Sequence, residues 1–80
     1  MQHPDPRHLG HAVKLARTAR GTTQRALAVA VGLAPAHLSR IEAGTRPLSA
    51  DRLKAIADSL GYSLDELVGL PERAAPQGDR

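Results

Sequence analysis

In the stretch VGLAPAHLSRIEAG, residues Ala36, Ser39, Arg40 and Ala43 stand at i, i+3, i+4 and i+7, the spacing that gathers side chains on one face of an α-helix. If Leu38 and Ile41 point into a core, these four point away from it, with His37 and Glu42 on the flanks. Such a face is suited to recognition rather than catalysis. A guanidinium is a rigid fork of donors that pairs bidentately with guanine, a hydroxyl reaches a base or a phosphate, and methyl groups touch the thymine methyl in a DNA major groove. The small neighbours matter as much as the arginine, because bulk would hold the helix away from the groove floor. An ordinary solvated face has a similar composition, so its surroundings must decide between the two.

Reactive side chains elsewhere assemble no second kind of site. The chain has no Cys, so it can build neither a disulfide framework nor a thiolate metal site or thiol nucleophile. His3, His8, His11 and Lys14 are the only suggestive cluster. His8 and His11 lie at i, i+3, but no carboxylate or thiol at helical spacing completes a metal site, and they read as a flexible His-bearing terminus on a solvated helix. There is no nucleophile paired with a base and no Gly-rich phosphate loop. The sequence predicts no enzyme, no cofactor and no metal.

Charge is unevenly spread. The net charge is only +3, yet nine Lys/Arg face Glu42 and Asp51 between Arg7 and Lys54, while beyond them five acids face Arg73 and Arg80. Basic and acidic halves imply a polarised surface, for which a polyanion is the obvious partner; a merely solvated surface is the alternative. No apolar run approaches the ~20 residues of a membrane helix and no signal peptide appears, so a soluble, cytoplasmic protein is expected, with no membrane partner.

The elements that must position this face follow from capping and periodicity. Eighty residues make one domain near the size at which only about 60% of the unfolded surface is buried. Tyr62 is the sole aromatic, and an aliphatic core favours helices, so the class is all-α. MQHPDPRH reads as a flexible arm over residues 1–7, ahead of a domain spanning 8–70. Helix one runs from Leu9 to Arg20, with Leu9, Val13 and Ala16 on one face and Gly21 as its stop. Thr23 caps helix two, which ends at Gly32. Pro35 suits a first helical position and opens helix three, which closes at Gly44. Ser49 caps helix four, the clearest amphipathic element, with Leu53, Ile56, Ala57 and Leu60 inward. Ser63 and Glu66 form a capping-box pattern leading into a short fifth helix. Pro71 is expected to stop it and leave 71–80 as a mobile tail. Helix three is too short to fold alone and must lean on its neighbours.

The run TQRALAVAVGLAPAHLSRIEAG resembles the helix-turn-helix of the phage lambda repressor and Cro-like (XRE-type) family, with similarity extending from about Leu9 to Leu67. The matching marks are Gln24 at the start of helix two, Ala28 at the helix crossing, Gly32 in the turn, the apolar Leu33, Leu38 and Ile41, and SRIEAG. The TRP loop and the GYSLDEL ending match as well. The resemblance implies a compact five-helix lambda-repressor-like domain with the motif in helices two and three. It further implies a transcriptional regulator, a repressor by expectation, of bacterial or phage origin, that binds double-stranded DNA with helix 35–43 in the major groove. Gln24 would brace a phosphate, and Ala36, Ser39, Arg40 and Ala43 would meet base edges. Thr23, Arg25, Thr45 and Arg46 flank the helix where side chains and terminal amides bind phosphates. His37 is as readily a phosphate contact as a plain surface residue. Arg17 and Glu42 look like the family's bridge between helices one and three, a structural pair rather than a functional one.

Departures from the family's pattern shape the rest of the reading. Ala34 replaces the usual polar cap of the recognition helix, and Pro35 compensates by fixing its start. Ala36 and Ala43 offer no hydrogen bonds, so specificity leans on DNA shape or a second subunit. A homodimer is expected, because proteins of this class set two recognition helices about 34 Å apart. Leu64, Leu67, Val68 and Leu70 are candidates for its interface, or else they close the core. The alternative function is an antitoxin-like or adaptor module on the same scaffold, whose protein partner matters more than DNA.

Overall fold

The computed structural model describes residues 5–74. Within them lie α1 (Pro6–Ala19), α2 (Gln24–Val31), α3 (Pro35–Glu42), α4 (Ala50–Leu60), α5 (Leu64–Val68) and α6 (Leu70–Ala74), with no strand among the described residues. The all-α class holds, with six helices where five were expected.

Local capping chemistry sets most of the boundaries. Thr23, Ser49 and Ser63 accept the amides of Ala26, Arg52 and Glu66, and Glu66 returns a bond from the Ser63 amide at 2.8 Å. Each satisfies a donor that the first helical turn leaves without a partner. α3 starts differently: Ala34 contributes no side-chain cap, and Pro35 opens the helix with its φ already set. Gly32, with φ of 74°, occupies the left-handed region that the tight turn between α2 and α3 requires.

Both ends correct the expectation. Asp5 accepts the amides of Arg7 at 2.7 Å and His8 at 3.2 Å, and Pro6 fills the first helical position. α1 therefore begins at Pro6, not Leu9, and the arm expected over 1–7 loses residues 5–7 to the domain; residues 1–4 lie outside the described range. At the other end, Pro71 stops nothing. It sits in the first turn of α6, where a missing amide costs no intrahelical bond, and Leu70 packs on the core. The tail expected over 71–80 is helical through Ala74, and 75–80 fall outside the described residues.

α1 lies at the centre of the packing, against α3, α4, α5 and α6. Val13, Leu27, Leu38, Ile41, Ile56 and Leu67 are fully buried, with Ala12, Ala16 and Ala28 between them. Leu67 is thus a core residue and leaves the set of interface candidates. The α1–α3 contact is closest at Gly10: a Cβ there would collide with the Ile41 carbonyl oxygen and lie 2.9 Å from that of Glu42. Polar ties secure the rest of α1. His8 is half-buried with Nε2 2.9 Å from the Val68 carbonyl oxygen, which replaces the expected solvated histidine by a link to α5. Arg20 donates from Nε to the Leu60 carbonyl at 2.8 Å and lays its guanidinium 4.2 Å from the Tyr62 ring centre, closing off the last turn of α4. No helix of the described residues is long and apolar enough to cross a membrane.

Candidate nucleic-acid interface

The orientation of α3 is set from its buried side. Leu38 and Ile41 are 0% and 1% exposed, which turns Ala36, Ser39 and Arg40 outward, with Ala43 exposed at the C-cap. Glu42 completes the buried face. Its carboxylate accepts Arg17 Nε at 2.8 Å and a terminal guanidinium nitrogen at 3.1 Å, and Gln24 Nε2 at 2.9 Å. Arg17 also donates to the Thr22 carbonyl at 2.9 Å. The bond to Glu42 pushes the Arg17 pKa above its ordinary value against the desolvation that opposes it. One carboxylate thereby joins α1, α2 and α3, and no buried side-chain polar atom among the described residues lacks a partner.

Beside the clamp, Lys14, Gln24, Ser39, Glu42 and Ala43 line an open hollow of about 200 Å³. Gln24, one of the lining residues, has its amide nitrogen committed to Glu42. The other flanking residues also have local partners. Thr23 Oγ1 caps α2, and the Thr45 hydroxyl donates to the Arg40 carbonyl at 3.2 Å, so each gives the loop its shape as well as a surface hydroxyl. Arg25 and Arg46 are exposed.

His37 is half-buried at the opposite flank of α3. Partial burial, with Arg46, Arg52 and Arg40 around it, holds its imidazole below the usual histidine range. Arg52 comes from the first turn of α4. Lys14 thus lies beside the Ser39 and Ala43 part of the exposed face, and the charges of Arg46 and Arg52 are felt at His37.

Ala36, Ser39, Arg40 and Ala43 are all exposed at helical spacing, and Arg25, Thr45 and Arg46 are exposed and His37 half-buried. Lys14 and Arg52 also belong to this surface, and sequence reasoning missed both. Lys14 was legible as the residue one turn before Arg17 on the same side of α1, and Arg52 as the third residue after the Ser49 cap. Of the four apolar interface candidates, Leu64 is 39% exposed, Val68 and Leu70 are half-buried, and Leu67 is inaccessible.

Residues 13–67 match the Helix-turn-helix family. Among solved structures, the chain is similar to the clp gene regulator ClgR from Corynebacterium glutamicum, at 29% identity over 86% of this chain and 73% of that one, with a TM-score of 0.81. It is also similar to the restriction-modification controller protein C.AhdI from Aeromonas hydrophila, at 29% identity over 78% of this chain and 94% of that one, with a TM-score of 0.73. The controller protein C.Esp1396I gives 26% identity over 88% and 95% of the two chains and a TM-score of 0.74. No curated protein matches the sequence.

Proposed function

Because this chain belongs to the XRE-type helix-turn-helix family and is a DNA-binding transcriptional regulator, we propose that it reads a specific duplex sequence by inserting α3 into the major groove and represses by occupying that site. Arg40 pairs with a guanine, Ser39 reaches a base or the adjoining phosphate, and Ala36 and Ala43 allow the close approach and touch thymine methyls. Thr23, Gln24, Arg25, Thr45, Arg46 and His37 hold the backbone on either side. The reading rests chiefly on one observation: α3 is locked from behind by Leu38, Ile41 and the Arg17–Glu42 pair while its outer face exposes only small side chains and one arginine.

The protein acts as a homodimer in this reading, since one short reading helix contacts too few base pairs to select a site. Leu64, Val68 and Leu70 supply the apolar contact between copies. Selection of bound sequences from a random duplex pool tests the proposal. Paired half-sites are expected, and Arg40→Ala should relax preference at one position per half-site by about 1–3 kcal/mol. A pool that shows no enrichment would overturn the reading in favour of a protein-interaction module.

A further inference from the structure

Gln24 opens α2, and its side chain is tied down at one end only. Nε2 donates to Glu42 Oε1 at 2.9 Å, and the same carboxylate takes the two bonds from Arg17. The Glu42 side chain keeps 3% of its surface, so the carboxylate stays where Arg17 holds it. A carboxylate only accepts, and this fixes which way the amide faces: turned over, Gln24 would set its carbonyl oxygen against an anion and lose the bond. Oε1 is therefore the free end. It accepts no hydrogen bond from the described residues, and since no buried side-chain nitrogen or oxygen among them lacks a partner, Oε1 is open to solvent. The hollow that Gln24 lines is shared with Ser39 and Ala43 of the exposed α3 face.

We propose that the Gln24 side chain is a specificity-determining contact, its Oε1 accepting a hydrogen bond from the exocyclic amino group of a base, adenine N6 or cytosine N4, rather than bracing a phosphate. This deepens the DNA-binding reading and rests on it. A phosphate offers only acceptors, so a carbonyl oxygen repels it, whereas adenine and cytosine each present an amino donor in the major groove. Nε2 has a second hydrogen left over, and adenine N7 is the acceptor that takes it when a glutamine pairs bidentately with adenine. The phosphate contact ascribed to Gln24 above then falls to its main-chain amide, which stands in the first turn of α2, where amides have no intrahelical partner. The exposed face of α3 needs such a neighbour. Arg40 only donates, Ala36 and Ala43 offer methyls, and the Ser39 hydroxyl takes either role, so the face has no carboxylate or amide carbonyl of its own. Gln24 supplies that acceptor, and with it discrimination of amino-bearing bases from guanine and thymine at the major-groove edge.

The probe is the duplex that the full chain selects from a random pool, titrated by fluorescence anisotropy across salt concentrations. Gln24→Met keeps the length of the side chain and removes both polar atoms. It is expected to reduce the preference for adenine or cytosine by about fivefold or more at one position, distinct from the one set by Arg40, and to leave the log-log salt slope unchanged. A phosphate brace behaves in the opposite way, with the slope flattened by about 0.9 and the preference kept. The variant gives up its bond to Glu42, so thermal melts verify that it folds, and wild type supplies the same test without any substitution. Purine in place of each adenine, or 2-pyrimidinone in place of each cytosine, deletes the amino group alone. One such exchange should weaken wild-type binding by about fivefold or more and leave Gln24→Met unaffected, and which analogue does so names the base. A flattened slope with the preference kept, or analogue duplexes that wild type binds as tightly as the parent, overturns the inference and leaves the DNA-binding reading intact. Analogue losses that are equal in wild type and Gln24→Met do the same. A wild-type protein that enriches no sequence overturns both.

Discussion

Removing the Glu42 carboxylate is the sharpest test of how α3 is held. Glu42→Ala deletes three hydrogen bonds at once, two of them the parallel fork to Arg17 at 2.8 and 3.1 Å and the third from Gln24 at 2.9 Å. It leaves the Arg17 guanidinium with one remaining acceptor, the Thr22 carbonyl. Breaking a buried pair by removing one partner costs about 3–5 kcal/mol. Here the lower end applies, because the Arg17 side chain keeps 15% of its surface and can turn toward water, although that of Glu42 keeps 3%. A loss of about 3 kcal/mol is a large share of the roughly 4–12 kcal/mol that eighty residues provide. In a domain of this size it should lower Tm by roughly 12–24 °C.

The assay is urea denaturation followed by circular dichroism, with the slope m checked so that the midpoint reports stability alone. Arg17→Met and the double variant Arg17→Met/Glu42→Leu complete a cycle in which the coupling should be about 1.5 kcal/mol or more. The double variant, which buries no unpaired charge, should be more stable than Glu42→Ala. If Glu42→Ala stays within about 0.5 kcal/mol of wild type, the size of a neutral surface change, the carboxylate is no clamp and the rigidity ascribed to α3 loses its basis.

Gly10→Ala gains roughly 1 kcal/mol of helix propensity, yet it drives a methyl into the Ile41 and Glu42 carbonyls; a net loss of about 1–2 kcal/mol is expected from overpacking, measurable in the same denaturation series, and a stabilised variant would show that α1 can lift off α3 freely. Asp5 and Glu66 should make the fold acid-sensitive. Amide bonds from His8 and Arg7 lower the Asp5 pKa, and the Ser63 amide and hydroxyl lower that of Glu66, so both contributions are present above the unfolded carboxylate values, near 4, and are lost as pH falls through the lower folded ones. Tm should decline below about pH 4, less steeply in the Asp5→Asn and Glu66→Gln variants; parallel curves in all three proteins would refute the assignment. Leu64→Asp places a charge on the one α5 leucine that is exposed and should shift sedimentation of the proposed dimer toward the monomer with Tm at low concentration unchanged, whereas an unaltered mass at every concentration would remove this surface from the proposed interface.

The parts of the fold that were legible in the sequence are those fixed within a few residues. Thr23, Ser49 and Ser63 cap helices because the donors they satisfy lie two or three positions ahead, and Pro35 opens α3 through its own ring. The same local logic was available at Asp5–Pro6, an acceptor followed by a first-position proline, but the polar composition of the arm obscured it. Pro71 was misread because the missing amide that ends a helix interior is harmless in a first turn. What could not be read is long-range: His8 meeting Val68, Arg20 closing the end of α4, Gly10 admitting the α3 backbone, and Lys14 lining the hollow beside Ser39. Each depends on the angle at which two helices cross, which no local pattern contains. The outward face of α3 was legible because it is the complement of two buried residues, and periodicity gives both at once.

That division bears on how the surface can change. Everything that fixes α3 reaches it from the side away from its exposed face: Leu38 and Ile41 in the core, Glu42 in the clamp, and Gly10 beneath the Ile41 carbonyl. Ala36, Ser39, Arg40 and Ala43 make no side-chain hydrogen bond or ion pair with the described residues, so substitutions among them leave the packing intact and change stability by roughly 0.5 kcal/mol or less. The helix can therefore exchange its exposed residues without renegotiating its position. The clamp has the opposite character, since losing Glu42 moves the whole face while altering none of its chemistry. Weak duplex binding by a Glu42 variant that keeps its sequence preference, set beside tight binding by an Arg40 variant that has lost it, would separate the positioning of α3 from the chemistry of its exposed face in the proposed reading.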